Sequence, residues 1–208
     1  MSGQGLRIDG YVIVAADGML ANAERVMPTE LKFEGDKAFF TNALDRADLI
    51  VHGRNSYEDQ PNSPRRRRII VTRKVAALAP DPSNPLACSW NPAGASFEAA
   101  CDRAGVQAGT AAIIGGPDVF DMFMDRYDTF WLSVAPHVRL PDGEPCFSGV
   151  PARSPQQILA AHGMTGGKPE ILDPAFDVSV TPWRRLAPAR LPHRPPRPSA
   201  VPVHIRRS

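Results

Sequence analysis

The stretch Ala111-Ala112-Ile113-Ile114-Gly115-Gly116-Pro117-Asp118-Val119-Phe120 carries an apolar run into two glycines and then into a segment that opens on proline. Four apolar residues in succession suit a strand covered on both faces. Pro117 suits the first turn of a helix, where no backbone N–H is required. Glycines between strand and helix let a ligand phosphate come up to the backbone, and the helix beyond offers N–H groups and the positive end of its dipole. A tight strand-to-helix turn with no ligand would use the same residues. The stretch therefore predicts a strand–turn–helix unit and leaves its occupant open. Asp118 favours the helix dipole and would repel a phosphate unless it points away.

Strand and helix patterns alternate outward from this unit. Further strands are predicted over 11–16, 48–52, 69–72, 130–135 and 176–181, and the first, third and fourth of these are also nearly continuous in apolar residues. Helical spacing occurs over 36–46, 54–58, 96–104 and 117–125, and turn residues mark loops at 79–85 and 140–145. Strands alternating with helices predict an α/β fold of three layers, a mostly parallel central sheet with helices on both faces.

Within 36–46, Phe39, Phe40, Ala43 and Leu44 share the helix face that Asp36 begins. A carboxylate at the head of an apolar stripe is costly without a partner. Two chemistries suit it. Asp36 could accept two parallel hydrogen bonds from the amidine-like edge of a heterocycle and assist protonation, since burial raises a carboxyl pKa. It could equally be an N-cap.

Cationic loops follow two predicted strands, as Gly53-Arg54-Asn55-Ser56-Tyr57 and Thr72-Arg73-Lys74. Ligand crevices of open α/β sheets lie beyond strand carboxyl ends, where arginine pairs with phosphate; a solvated loop would carry the same charges. Arg65-Arg66-Arg67-Arg68 precedes the strand at 69–72. Side chains alternate along a strand, so about half of this run can face any one ligand. No aromatic residue interleaves to stack bases.

The chain has 208 residues, of which 43% are hydrophobic, enough for one packed domain. No run of 18 apolar residues predicts a membrane span, and the first ten residues lack a secretory pattern. Cys88, Cys101 and Cys146 match no zinc spacing and are expected to be reduced thiols of a cytoplasmic protein. Net charge is +2, yet 184–208 holds seven arginines and no acid, so the first 183 residues carry −5. From 186 onward six prolines and no periodicity predict a disordered basic tail. The expected division is a domain at 1–183 and a tail at 184–208.

Seven segments in order, spanning roughly residues 7–147, resemble the dihydrofolate reductase family. GYVIVAADGMLA resembles its first strand, Met27-Pro28 its mobile active-site loop, and DKAFF its segment bearing the substrate carboxylate. VHGRNSYE, RIIVTR, IIGGPDVFDMF and FWLSVAP resemble the segments that follow. The resemblance implies a reductase using NADPH. Asp36 would bind the pterin edge and support protonation, with Ser133 hydrogen-bonded to it. Phe40 and Met27 would contact substrate, and Arg66 would take a folate carboxylate. The cofactor would meet Ile13 and Ala15 at its nicotinamide. Arg54, Asn55 and Ser56 would meet its phosphates, and Thr72 and Arg73 its ribose 2′-phosphate. Gly115, Gly116, Val119 and Phe120 would form the turn and helix start against its pyrophosphate.

Departures from the family pattern are Thr29 after Met-Pro, Lys37 after the carboxylate, Pro117 as third residue of the glycine turn and Phe120 in place of tyrosine; residues 148–183 match poorly. The expected function is NADPH-dependent reduction of dihydrofolate to tetrahydrofolate. One alternative is a stand-alone reductase of a ribosylamino-pyrimidine phosphate, resembling the reductase domain of riboflavin-synthesis enzymes, with Lys37 and the arginine run serving the phosphate. Another is a non-catalytic nucleotide- or RNA-binding module acting through the basic tail. Partners are a pterin or pyrimidine small molecule, without membrane or metal, in a monomer or homodimer.

Overall fold

The computed structural model describes residues 5–56, 60 and 62–185. The strand predicted at 11–16 is the end of a longer one, β1 (Leu6–Ala15), at the middle of the main sheet. Its side chains alternate between layers. Ile8 and Val14 pack with Val51, Ile113 and Leu132, whereas Tyr11 packs on the other face with Leu44, Ile50 and Ala112. Burial on both faces explains why its apolar run is almost unbroken.

Beyond β1 the chain forms β2 (Met19–Ala21), α1 (Glu34–Arg46), β3 (Leu49–Gly53), β4 (Arg68–Val71), β5 (Leu78–Asp81) and β6 (Asn84–Trp90). Then come α2 (Phe97–Ala104), β7 (Gly109–Ile113), α3 (Pro117–Met122), β8 (Thr129–Ala135) and β9 (Glu144–Pro145). The last elements are α4 (Pro155–Ala161), β10 (Met164–Gly166), β11 (Glu170–Asp173) and β12 (Val178–Arg185). The ten-stranded sheet runs β10-β12-β8-β1-β7-β3-β4-β6-β5, with β11 also on β12, and β2 pairs β9 separately. The six strands from β8 to β6 are parallel neighbours, and the antiparallel strands lie at the two ends. α1 covers one face through Leu44, and α2, α3 and α4 cover the other through Phe97, Phe120 and Leu159. The architecture is the expected three-layer α/β fold. Phe120, Phe130 and Phe147 pack together at ring separations of 5.2–6.2 Å, each burial contributing about 1.5–3 kcal/mol.

Several boundaries differ from those read in the sequence. The 79–85 stretch is no loop but most of the β5–β6 hairpin. Pro80 is accommodated because β5 is the sheet's edge. The strand expected at 176–181 begins at Val178 and continues to Arg185, so the boundary at 183 falls inside it. α4 and the short strands β10 and β11, each paired with β12, were not foreseen. Arg54 and Asn55 form a turn rather than the start of a helix over 54–58. Tyr57 and the stretch 186–208 lie outside the described residues. Among the described residues no helix is long and apolar enough to cross a membrane. Cys88, Cys101 and Cys146 are free and buried, and burial pushes the Cys101 thiol up to about 12.

Candidate active site

β7 and β8 flank β1, and the chain leaves β1 for β3 on one side while the β7–α3–β8 connection crosses to the other. Ligand crevices of open sheets form at such a reversal, beyond the strand carboxyl ends. A cleft of about 580 Å³ opens there. Tyr11 and Ile13 of β1 and Trp131 and Ser133 of β8 line it, as do Asp36, Phe39 and Phe40 of α1. The loop after β3 contributes Asn55 and Ser56, and the turn after β7 contributes Gly115 and Gly116.

Asp36 is the third residue of α1. The residue that caps this helix is Phe33, extended and without a side-chain cap bond, so Asp36 is not the N-cap. The preceding Gly35 sets how deeply the helix start sits. A Cβ there would lie 1.9 Å from the Leu172 carbonyl oxygen in β11, and only glycine permits that approach. Ser133 is buried on β8, in register between Ile13 of β1 and Val180 of β12. Desolvation holds the Asp36 carboxyl above its ordinary range, and the Ser133 hydroxyl nearby, which favours the charged form, offsets part of that rise. A carboxyl so placed keeps a proton at higher pH than a solvated one and can donate it.

The glycine turn is held from two sides. The Gly53 N–H donates to the Gly115 carbonyl at 2.6 Å, and the Val119 and Phe120 N–H groups both donate to the Gly116 carbonyl, at 2.9 and 3.0 Å. The Gly115–Gly116 peptide bond is cis. Gly115 has φ +102°, and a Cβ on it would meet the Phe120 ring at 2.9 Å; one on Gly116 would meet Ser56 Oγ at 3.1 Å. Both glycines line the cleft as bare backbone, and a side chain on either would crowd the Phe120 ring or Ser56.

Of the residues singled out in the sequence, Asp36, Ser133, Phe40, Met27, Ile13, Asn55, Ser56, Gly115, Gly116 and Phe120 line this one cleft. Six are placed elsewhere. Ala15 and Val119 are buried behind the wall, packed with Leu31 and against Gly53 respectively. Arg54 and Arg73 are exposed at the ends of β3 and β4. Thr72 is buried, its N–H donating to the Trp90 carbonyl and its Oγ1 accepting from the Lys74 N–H. Arg66 is turned inward, its side chain 6% exposed and bonded to Asp45 at 2.6 Å and to Gln60 at 3.3 Å. Of these two partners Gln60 lines the cleft, but Arg66 itself does not.

Sequence reasoning missed the floor. Tyr11, Phe39 and Trp131 form an aromatic trio with ring separations of 5.5–6.4 Å, Tyr11 lying parallel to Trp131. The signal was available: Tyr11 is two residues before Ile13 and Trp131 two before Ser133, and alternation places each pair on one face. Lys32, Lys37 and Arg25 also line the cleft.

No family model matches the chain, and no curated protein matches it in sequence. Solved structures do match in fold. A protein from Shewanella sp. PV-4, described as a riboflavin biosynthesis protein, superposes with a TM-score of 0.60 at 17% identity, covering 88% of this chain and 100% of its own. Dihydrofolate reductase from Enterococcus faecalis, complexed with NADP(H) and RAB-propyl, gives 0.59 at 16% identity, covering 88% and 98%. A diaminohydroxyphosphoribosylaminopyrimidine deaminase/5-amino-6-(5-phosphoribosylamino)uracil reductase from Thermotoga maritima gives 0.58 at 13% identity, covering 88% of this chain and 57% of that one. The chain has the dihydrofolate-reductase-like fold.

Proposed function

We propose that the chain is an NADPH-dependent reductase of a small nitrogen heterocycle, with dihydrofolate as the first substrate to test. The observation that carries this reading is Asp36: a carboxyl raised by desolvation, lining with Ser133 the same cleft as the bare Gly115–Gly116 backbone. Two reductases of like fold support it, one of them described with NADP(H).

The residues present fit the cofactor. The glycine turn leaves open backbone beside Ser56, and Arg54 and Arg73 stand exposed at the adjoining strand ends. Gly115, Gly116, Asn55 and Ser56 would hold the phosphates. Arg73 would meet a 2′-phosphate, with Arg54 beside it. Ile13 and Phe120 would flank the nicotinamide, whose chemistry when bound is hydride donation. Asp36 would accept hydrogen bonds from the amidine-like edge and supply the proton that enters the imine nitrogen as hydride enters the neighbouring carbon. Ser133 would hold the carboxyl in orientation, and Tyr11, Phe39, Phe40 and Trp131 would exclude water. Reduced cysteines and this cofactor suit a cytoplasmic enzyme.

A second reading, reduction of a ribosylamino-pyrimidine phosphate, is favoured by one observation. The arginine expected for a folate carboxylate is bonded to Asp45 away from the cleft, whereas Lys37 lines it. The deciding assay follows NADPH absorbance with each substrate. Turnover of dihydrofolate that is lost in Asp36→Asn supports the first reading, and turnover of the pyrimidine phosphate alone supports the second. Absence of NADPH binding removes both.

A further inference from the structure

We propose that His52 is a positioning residue: its imidazole fixes the exit of β3 and, through that exit, the loops at 54–56 and 115–116 that form one wall of the cleft. That these loops receive NADPH rests on the reductase reading; the bonds that hold them do not.

β3 is Leu49-Ile50-Val51-His52-Gly53, a buried strand in which His52 is the sole polar side chain. His52 is 3% exposed. A histidine so buried needs a partner for each ring nitrogen, and each has one. Nδ1 lies 2.8 Å from the Gly53 carbonyl oxygen, and Nε2 lies 3.3 Å from a guanidinium nitrogen of Arg68. These partners leave one arrangement of protons. A carbonyl oxygen only accepts, so Nδ1 carries the hydrogen and donates it. A guanidinium only donates, so Nε2 is bare and accepts. The ring is a neutral imidazole in its Nδ1–H form. Arg68 is itself held, donating to the Ser63 carbonyl and hydroxyl at 2.6 and 2.8 Å, so both ends of the ring are tied.

The Gly53 carbonyl carries this bracing to the cleft. Besides the His52 ring it accepts the Ser56 N–H at 2.9 Å, which engages both of its lone pairs. The other half of the same peptide, the Arg54 N–H, donates to the Val71 carbonyl at 3.1 Å. The Gly53 N–H donates to the Gly115 carbonyl at 2.6 Å. Gly53 also lies against both loops. A Cβ on it would stand 3.5 Å from the Gly116 nitrogen and 3.6 Å from Ser56 Oγ. Two successive peptides therefore set the turn that presents Asn55 and Ser56 and the glycine turn after β7. Leucine would suit the burial at position 52 equally well; histidine adds the donor that holds the carbonyl.

Two replacements separate the two bonds. His52→Asn puts an N–H where Nδ1 stands and keeps the bond to Gly53. His52→Gln puts a carbonyl oxygen near Nε2 and keeps only the bond from Arg68. In the ligand-free chain, amide hydrogen exchange at Gly53 and Ser56 is expected to quicken about fivefold or more in His52→Gln, the effect of one lost hydrogen bond, and to stay within about twofold in His52→Asn. The dissociation constant of NADPH, read by protein fluorescence, should split the two variants in the same way. A histidine that only fills space would lower the urea midpoint of both and split neither measurement. Nitrogen NMR of the natural chain should show the proton on Nδ1 and none on Nε2, and this reading stands even where a variant does not fold. A proton on Nε2, equal exchange in all three chains, or equal losses in both variants overturns the proposal. If the natural chain does not bind NADPH, the reductase reading falls, and exchange at Gly53 and Ser56 still decides the role of His52. NADPH binding with no difference in exchange keeps the reductase and rejects the role of His52.

Discussion

At the scale of single residues, Asp36 couples activity to stability. Burial raises its pKa in the folded chain, with Ser133 opposing part of the rise. The folded state therefore binds the proton more tightly than the unfolded state does. Stability contributed by this group is present at low pH and is lost as pH rises through the folded pKa, where the half-buried carboxyl must ionise. Asp36→Asn is expected to lower turnover about a hundredfold or more and to raise the melting temperature at pH 7. The gap between variant and natural chain should shrink toward pH 4; melts at the two pH values, without cofactor, check it. Asp9, also raised by burial against the opposing effect of Arg7, titrates in both chains and cancels from the comparison. Ser133→Ala removes an interaction that lowers the Asp36 pKa. The acid-dependent limb of kcat/KM should therefore move to higher pH, which a pH–rate profile reads; an unmoved limb would mean that another group supplies the proton.

At the scale of elements, the position of α1 is set from outside it. The helix has Ala, Phe and Leu on one face, but its depth depends on Gly35 lying against the Leu172 carbonyl. Gly35→Ala is expected to cost roughly 1–3 kcal/mol through overpacking and to withdraw Asp36 from Ser133. A urea titration reads the first effect and the Asp36-dependent limb of the pH profile reads the second. The effect of Ser154→Ala should be confined to stability. Ser154 and Gln157 form a reciprocal capping box on α4, and losing it costs about 1 kcal/mol with the cleft untouched. These two elements show what was legible in the chain. α1 announced itself by periodicity, and Asp36 by standing at the head of an apolar stripe. Gly35's contact could not be read, because its partner is 137 residues away in a strand with no apolar run. α4 carried a readable cap, Ser154-Pro155-Gln156-Gln157, in a region where no resemblance directed attention to it. The arginine run alternated as a strand entry should, Arg66 and Arg68 inward and Arg65 and Arg67 outward, but a sequence does not say that an inward arginine meets an aspartate instead of a ligand.

At the scale of the whole molecule, five of the six parallel strands were legible because helices bury both their faces, which forces continuous apolar sequence; the sixth, β6, was hidden by the turn residues at its start. Of the antiparallel additions at the ends of the sheet, β12 was legible in part and β5, β10 and β11 were not. β10 and β11 are three and four residues long and mostly exposed, so neither burial nor alternation marks them. β12 nevertheless ties this end together. It pairs β8 through Ser179–Arg184, β10 through Trp183–Arg185 and β11 through Val178–Val180. Its final residue, Arg185, donates to the His162 carbonyl at 2.7 Å and to the Met124 carbonyl at 3.0 Å, linking the end of α4 to the turn after α3. Two truncations isolate that link. A chain ending at Trp183 should be less stable than one ending at Arg185 by about 2 kcal/mol or more, from the loss of two side-chain hydrogen bonds at about 1 kcal/mol each together with the sheet pairings of Arg184 and Arg185. Since both lack 186–208, the difference reports Arg184 and Arg185 alone. Because Ser133 lies on β8, directly beside β12, the shorter chain should also show weaker binding in the cleft. Equal urea midpoints for the two truncations would place the end of the structural unit at 183, where composition alone had put it.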